Sequence, residues 1–328
     1  MNKAALPHQE NINSTFFKEE ILNNIEELFE LSIPELIFKS MLVHRENHDP
    51  NKVQFCTLSS IKTGACPEDC HYCPQSARYQ TGVEAHPLLD KEDIIKQAHE
   101  AKDNGSTRFC MGASWRNLPK GKDFEAILEV IQSVDSLGLE VCCTLGMVTA
   151  EQAKAMAEAG LHSYNHNIDT SPEYYEQIIS TRKFQDRIDT LKNVQEAGIN
   201  VCSGGIIGMG ETTEDRKKFL AVLASLDPQP SSVPINALVP IEGTPLEDRP
   251  LIDPLELVKM VAIARIMMPK AMVRLSAGRR FLSDEAQTLC FIAGANSIHT
   301  GDKLLTTPNA GINRDNELLN KLGMKILN

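Results

Sequence analysis

One phrase recurs along this chain: an amphipathic helix, a glycine, then a run of mostly apolar residues of strand length. It appears four times, with the helices ending at Gly105, Gly138, Gly160 and Gly198. Glycine suits that place because it enters the left-handed conformation that closes a helix without steric cost. The first such helix starts at Asp90 and puts Ile94, Ile95, Ala98 and Ala101 on one face; Thr107–Met111 follows as a strand. The next pairs are Asp123–Leu137 with Leu139–Thr144, a helix opened by the capping box of Thr149 and Gln152 with a strand near His162–Ile168, and Phe184–Ala197 with Ile199–Ile207. Val53–Ser59 is a strand ahead of them. Beyond them come a helix near Glu214–Leu226, a strand near Val233–Leu238, the helix Pro254–Met268 and the strand Met272–Ser276. A helix near Asp284–Leu289, a strand near Ile292–Ser297 and a helix near Asn313–Leu322 complete the series. Eight strands alternating with eight helices predict an α/β fold, a (β/α)8 TIM-type barrel, with a doubly wound open sheet as the alternative. Two helices, over 18–31 and from Pro34 to Asn47, form an N-terminal helical extension read as a cover over one end of the core. The expected division is 1–50 for that extension, 51–300 for the barrel and 301–328 for a C-terminal segment with the last helix.

A length of 328 residues is one that α/β barrels routinely hold as a single unit. Asp and Glu number 44 against 33 Lys and Arg, a net charge of -11, which argues against nucleic acid because phosphate contacts need clustered cations. No apolar run is long enough to span a bilayer, so no membrane role is expected. The N-terminus has no signal-peptide core and no Arg before Arg45, which predicts a cytoplasmic protein. In a reducing compartment nine cysteines, an odd number, speak for metal binding over a disulfide framework.

Three of those cysteines, Cys66, Cys70 and Cys73, fall in the loop after the first strand as CPEDCHYC, a C-x3-C-x2-C spacing. A structural zinc site with His71 or His86 as fourth ligand is one reading, although such sites usually join two separated pairs. Three cysteines on a four-iron cluster would instead leave one iron without a protein ligand, and an open metal position is what a reactive site keeps.

This loop resembles the signature of the radical S-adenosylmethionine enzymes. The resemblance implies a barrel and a [4Fe-4S] cluster whose open iron is chelated by the amino and carboxylate groups of S-adenosyl-L-methionine. It also implies a 5′-deoxyadenosyl radical that takes hydrogen from unactivated carbon. Longer runs narrow the match: SIKTGACPEDCHYCPQS at 60–76, YNHNIDTS at 164–171, VCSGGIIGMGE at 201–211, VRLSAGR at 273–279 and AGANSIHTGD at 293–302 are similar to the biotin synthase family. The likeness implies a sulfurtransferase that inserts one sulfur atom between two saturated carbons of dethiobiotin, the last step of biotin biosynthesis. It further implies a flavodoxin- or ferredoxin-like electron donor protein and a homodimer. Lipoyl synthase also inserts sulfur but carries an extra cysteine group near its N-terminus, and no cysteine precedes Cys56 here. An electron-transfer or zinc-scaffold protein would need none of the later runs.

Residue by residue, the resemblance puts Tyr72 near the adenine of S-adenosylmethionine and Arg187 at its carboxylate. Gly204, Ile206, Gly208 and Glu211 would lie beside the same cofactor, Asn167 and Asp169 near cofactor and substrate, and Asn236 near the substrate's ureido ring. Asn165, Asn167 and Asp169 alternate along the fourth strand, so they are expected on one face. The resemblance also places Cys110, Cys142, Cys202 and Arg274 around a [2Fe-2S] cluster inside the barrel, read as the sulfur donor.

An arginine ligand is physically unusual, since donating a lone pair at pH 7 costs about 8 kcal/mol of deprotonation. The alternative is a guanidinium that stays charged beside an anionic cluster. Strand three carries two adjacent cysteines, of which one can face inward. Cys142 and Cys202 both lie four residues after a helix-ending glycine, which predicts Cys142 inward and Cys143 outward. Cys56 and Cys290 are read as core.

Overall fold

The structure is a computed structural model and describes residues 16–327. Its glycines sit where the repeated phrase needs them: Gly105, Gly138, Gly160 and Gly198 have φ of +83°, +77°, +97° and +78°. Each turns the chain from a helix into the next strand. Two helices come first, α1 (Glu19–Phe29) and α2 (Ile33–Asn47). The barrel then runs β1 (Lys52–Lys62), α3 (Lys91–Asp103), β2 (Arg108–Ala113), α4 (Lys122–Asp135), β3 (Glu140–Thr144), α5 (Ala150–Glu158) and β4 (Ser163–Asn165). It continues through α6 (Pro172–Ile178), α7 (Phe184–Glu196), β5 (Asn200–Cys202), β6 (Gly205–Ile207), α8 (Thr213–Ser225), β7 (Ser232–Ala237) and α9 (Pro254–Met267). β8 (Met272–Leu275), a 3-10 turn (Arg279–Phe281), α10 (Asp284–Ile292) and β9 (Ser297–Thr300) finish the ring. The hairpin β10 (Lys303–Leu304) and β11 (Thr307–Pro308), α11 (Ile312–Leu322) and β12 (Lys325–Ile326) follow.

All ring pairings are parallel, and β9 returns to β1 with Gln54 opposite Ser297 and Cys56 opposite His299. That closure decides for the barrel over the open sheet. β5 and β6 share one position in the ring, since both pair with β7. The barrel thus has eight strand positions, as the alternation predicts.

Several boundaries differ from the sequence reading. The last strand is Ser297–Thr300 rather than Ile292–Ser297, because α10 runs on to Ile292 and Gly294, at φ +106°, closes it. This is the helix–glycine–strand phrase a fifth time. The fourth strand stops at Asn165, and the fifth is interrupted at Ser203 and Gly204. α6 is an additional helix, started by Ser171 as N-cap and Pro172 at the first position.

The N-terminal helices do not cap an end of the barrel: α1 packs on α8 and α2 on α9. The reason lies in α9, where Leu257, Val258, Met260, Val261, Ile263 and Ala264 are all buried. A helix apolar nearly all round needs a second layer outside it. Between the strands and the outer helices lies the main apolar core, while Cys56, Cys110 and Cys142 form a separate small cluster inside the ring. β12 pairs with the start of β1. No helix among the described residues is long and apolar enough to cross a membrane.

Candidate active site

The loop after β1 is folded back on itself by its own backbone. The Cys66 N–H donates to Gln75 O (3.0 Å), the Ala77 N–H to Cys66 O (2.7 Å) and the Cys73 N–H to Cys70 O (2.9 Å). Two buried carboxylates latch it to the turn between α6 and α7. Asp69 accepts from the backbone N–H groups of Ser180 (3.0 Å) and Thr181 (3.1 Å) and from both hydroxyls. Burial alone would raise the Asp69 pKa, but these hydrogen bonds outweigh it and bring it down to about 2. Glu68 accepts from the Thr181 hydroxyl and lies 3.3 Å from Arg116 Nε and 3.5 Å from Arg182 Nε.

So held, Cys66, Cys70, Cys73 and Tyr72 border a cavity of about 190 Å³ together with Arg182 and Arg187. Burial raises the proton affinity of all three thiols, that of Cys73 to about 12. They become thiolates only when a cation takes the proton's place. Arg182 Nη2 lies 3.8 Å from Cys70 Sγ, and its Nη1 is buried without a partner. An unpaired guanidinium N–H beside three thiols fits an anionic guest, such as a thiolate-bound cluster or a carboxylate. Among the described residues no three His, Cys, Asp or Glu side chains converge closely enough for a single metal ion. A cluster with its own bridging sulfides spaces its thiols more widely than one ion does.

Arg187 and Asp169 form a buried pair: Arg187 Nη2 donates to the Asp169 carboxylate, and its Nε donates to Tyr175 Oη at 2.9 Å. Burial disfavours the charge on Arg187, but Asp169 and Tyr175 outweigh it and keep the group protonated. Asp169 lies past the end of β4 at φ +68°, so it does not continue the strand alternation; Asn165, Asn167 and Asp169 nevertheless line one cavity. Asn167 Oδ1 accepts from Asn165 Nδ2 (3.2 Å) and from the Gly204 N–H (3.1 Å). A Cβ on Gly204 would strike the Pro234 carbonyl and one on Gly205 the Asp169 carbonyl, which is why this crossing is built from glycine.

Ile206 reaches the cavity wall, whereas Gly208 and Glu211 shape the loop beyond. The Glu211 carboxylate is taken up by the N–H groups of Gly208 (2.8 Å) and Gly210 (3.1 Å) and by Arg216 Nε (2.8 Å). Asn236 lines the cavity, with Nδ2 donating to Gly205 O (2.9 Å) and Oδ1 accepting from the Ala277 N–H (3.0 Å).

Deeper in the ring, Cys110 and Cys142 stand opposite each other on β2 and β3. Cys142 neighbours Cys110 and Cys202; the Cys110 thiol, then burial, push the Cys142 pKa up, outweighing Cys202, which lowers it. Cys143 points the other way, into the apolar layer under the helices. Arg274, on β8, donates from Nε to Ser297 Oγ (2.9 Å) and from Nη1 towards Cys202 Sγ (3.6 Å), while its Nη2 is buried without a partner. Burial lowers the pKa of this guanidinium, but the neighbouring Cys56 and Cys202 outweigh that and raise it. A cavity of about 250 Å³ joins the two groups: Tyr72 and Cys73 lie at one end, Cys110, Cys142 and Arg274 at the other, with Asn167 and Asn236 on its wall.

Four contributors were not singled out from sequence. Arg182 and Asp69 carry no signal beyond ordinary charged residues. Arg108 is buried on β2, is paired through Nε with Glu140 (2.8 Å) and has an unpartnered Nη1. His299 lines the larger cavity and is hydrogen-bonded through Nδ1 to Ser276 Oγ (2.7 Å).

The chain matches the radical SAM superfamily over residues 60–223 and the Biotin and Thiamin Synthesis associated domain over residues 234–325. The biotin synthase of Cytophaga hutchinsonii is 55% identical over 314 residues, covering 96% of this chain and 92% of that protein. That of Erythrobacter litoralis is 58% identical over 311 residues, covering 93% and 91%. Among solved structures, methylornithine synthase superposes with a TM-score of 0.78 at 21% identity, covering 94% of both chains. The [FeFe]-hydrogenase maturase HydG gives 0.78 at 16%, covering 94% of this chain and 74% of that one; both likenesses concern the fold. With a cysteine loop and an interior thiol group opening on one cavity, and identity above one half along nearly its whole length, the chain belongs to the biotin synthase family of radical S-adenosylmethionine enzymes.

Proposed function

We propose that this chain converts dethiobiotin to biotin, with Cys66, Cys70 and Cys73 holding three irons of a [4Fe-4S] cluster and the fourth left for S-adenosylmethionine. When bound, cluster and cofactor supply a radical able to take hydrogen from a saturated carbon. The protein's part is to bind, orient and keep out water. Asp69 and Glu68 fix the loop, so the three thiols are presented as a set. Arg182, with a free N–H, and the Arg187–Asp169 pair provide charge for the cofactor's amino and carboxylate groups. Tyr72 stands between the two cavities, where an adenine could stack. Asn167 and Asn236 offer amide groups to the ureido ring of dethiobiotin, their backbone contacts holding them in place.

Cys110, Cys142, Cys202 and Arg274 are the proposed seat of a [2Fe-2S] cluster and of the sulfur that is transferred. The observation that carries the reading is the single cavity bordered at one end by Cys73 and at the other by Cys110 and Cys142. A substrate lying in it would be within reach of both groups. We further propose a flavodoxin- or ferredoxin-like donor of electrons, a homodimer, a cytoplasmic setting, and a division into 1–50, 51–300 and 301–328. Anaerobic incubation of the iron- and sulfide-loaded protein with dethiobiotin, S-adenosylmethionine and a reductant tests the reaction; 5′-deoxyadenosine without biotin would refute it. Protein loaded with heavy-isotope sulfide should give labelled biotin in its first turnover, and unlabelled biotin would move the sulfur source elsewhere.

A further inference from the structure

The chain carries a net charge of -11, yet the surface over the cysteine loop is basic. Three segments meet there. Lys62 Nζ of the first donates to Ser114 Oγ of the second at 2.9 Å, and Arg116 Nε of the second stands 3.3 Å from the loop's Glu68. The third, the turn after α6, is fastened to Asp69 through the N–H groups of Ser180 and Thr181. Over residues 62–83, 113–122 and 179–183 the only carboxylates are Glu68 and Asp69, and both are buried. The exposed charges on these stretches are therefore all positive: Arg78, Lys120, Lys122 and Lys183 are exposed, and the Arg116 side chain is 40% exposed. Arg78 is set against the loop itself, its Nε donating to Pro67 O at 3.1 Å.

The same surface is where the loop thiols come nearest to solvent outside the barrel. Cys70 is buried and Cys73 opens into the larger cavity, whereas Cys66 is half-buried between the exposed Ala65 and Pro67. Electron transfer between proteins weakens steeply with distance, so a donor must bring its redox group close to this spot. A carrier that binds, delivers one electron and leaves needs a small interface, with charge supplying the rate of encounter. A basic patch on an otherwise acidic chain draws an acidic carrier to this place and turns it away from the remaining surface.

We infer that the electron donor docks on this surface, over Cys66, and that it presents an acidic face to Arg78, Arg116 and Lys183. The inference rests on the reading that a small one-electron carrier protein reduces a cluster on the loop cysteines. It adds where that carrier sits and what charge it brings.

The test uses full-length protein loaded anaerobically with iron and sulfide, with flavodoxin as the probe. Arg78→Glu with Lys183→Glu reverses two charges of the patch. Lys52→Glu with Lys325→Glu makes the same change in net charge at the far end of β1, where β12 joins it. Titration calorimetry measures the affinity for flavodoxin, and 5′-deoxyadenosine formation is followed with reduced flavodoxin and, separately, with dithionite. In the first variant flavodoxin binding and the flavodoxin-driven rate should both fall about tenfold at low salt, with a gap to wild type that narrows as salt is added. Its dithionite-driven rate should stay at the wild-type value, and the second variant should match wild type throughout. Wild-type flavodoxin affinity in the first variant, an equal loss in both variants, or an equal fall with dithionite would overturn the assignment. A wild-type protein that works with dithionite but neither binds flavodoxin nor accepts its electrons would instead overturn the reading on which it rests, so the two failures are separable.

Discussion

Removing the Asp315 carboxylate tests how firmly the C-terminal segment is fastened to the barrel. Arg279 and Asp315 are each 1% exposed at the side chain, and Nη1 and Nη2 meet the two carboxylate oxygens at 2.6 and 2.9 Å. The guanidinium is otherwise held by Gln287 Oε1 and the His299 carbonyl, each at 3.0 Å. Asp315→Ala therefore leaves a buried positive charge with neutral partners only, at a cost of about 3–5 kcal/mol. For a chain of this size about 2 °C is lost per kcal/mol, so the melting midpoint should fall by about 6–10 °C. Replacing both members, Arg279→Met with Asp315→Leu, removes the charge itself, and the cost should be smaller than the sum of the single variants by about 2 kcal/mol. Scanning calorimetry of the anaerobic holoprotein at one scan rate measures all of these. A midpoint within about 2 °C of wild type for Asp315→Ala, or a double variant equal to the sum of the singles, would refute the reasoning. A loosened α11 should also disturb the neighbouring segment at Leu304 and Leu305, which lines the cavity, and raise KM for dethiobiotin.

Cys143→Ala should keep the absorbance of the interior centre and biotin formation, with a stability cost of about 1 kcal/mol for the lost sulfur, while Cys142→Ala should lose both functions. The opposite result would mean that β3 is shifted by one residue. Alanine in place of Cys66, Cys70 or Cys73 should each abolish 5′-deoxyadenosine formation with dethiobiotin and reductant, measured by chromatography, and full formation in any of them contradicts the loop assignment. Burial, then the nearby Arg265 and His48, hold the His44 imidazole down to about 3, against about 6.5 in an unfolded chain. The folded state binds fewer protons in that window, so the stability contribution is complete above about pH 6.5 and is lost as pH falls toward about 3. Going from pH 7 to pH 5 should cost about 1 kcal/mol after allowing for solvent screening, and His44→Gln should flatten the profile in urea titrations.

Most of the barrel was legible because its grammar is local. A glycine that must adopt positive φ marks the ends of the helices before β2, β3, β4 and β5: Gly105, Gly138, Gly160 and Gly198 all do so. Misreadings arose where one residue run suits two conformations. Leu289 to Ala293 is apolar throughout, and periodicity does not distinguish a buried strand from the last turn of a buried helix; the helix won, and the strand moved to Ser297–Thr300. The strand is interrupted at Ser203 and Gly204, where the Pro234 carbonyl approaches Gly204 and the Asp169 carbonyl approaches Gly205, contacts between distant segments. The same limit applies to the site. Three thiols in one short loop are visible as a spacing, whereas Cys56 gains its setting only when β9 closes the ring against β1. Arg182 likewise joins the site, and Asp69 of the loop finds its partners, only through the turn after α6, more than a hundred residues further along the chain.

The pairing of β9 with β1 has a consequence for synthesis. Cys56 lies opposite His299, so the ring closes only after almost the whole chain has left the ribosome. Cys110, Cys142 and Cys202 emerge well before that, and until Ser297–Thr300 arrives the wall that will bury them is incomplete. For that interval the interior thiols face the solvent as free sulfhydryls. Long-range closure of this kind is slow compared with helix formation. A nascent chain is therefore more easily oxidised at these positions than the finished barrel, and the yield of protein able to load the interior group should depend on oxygen tension during translation.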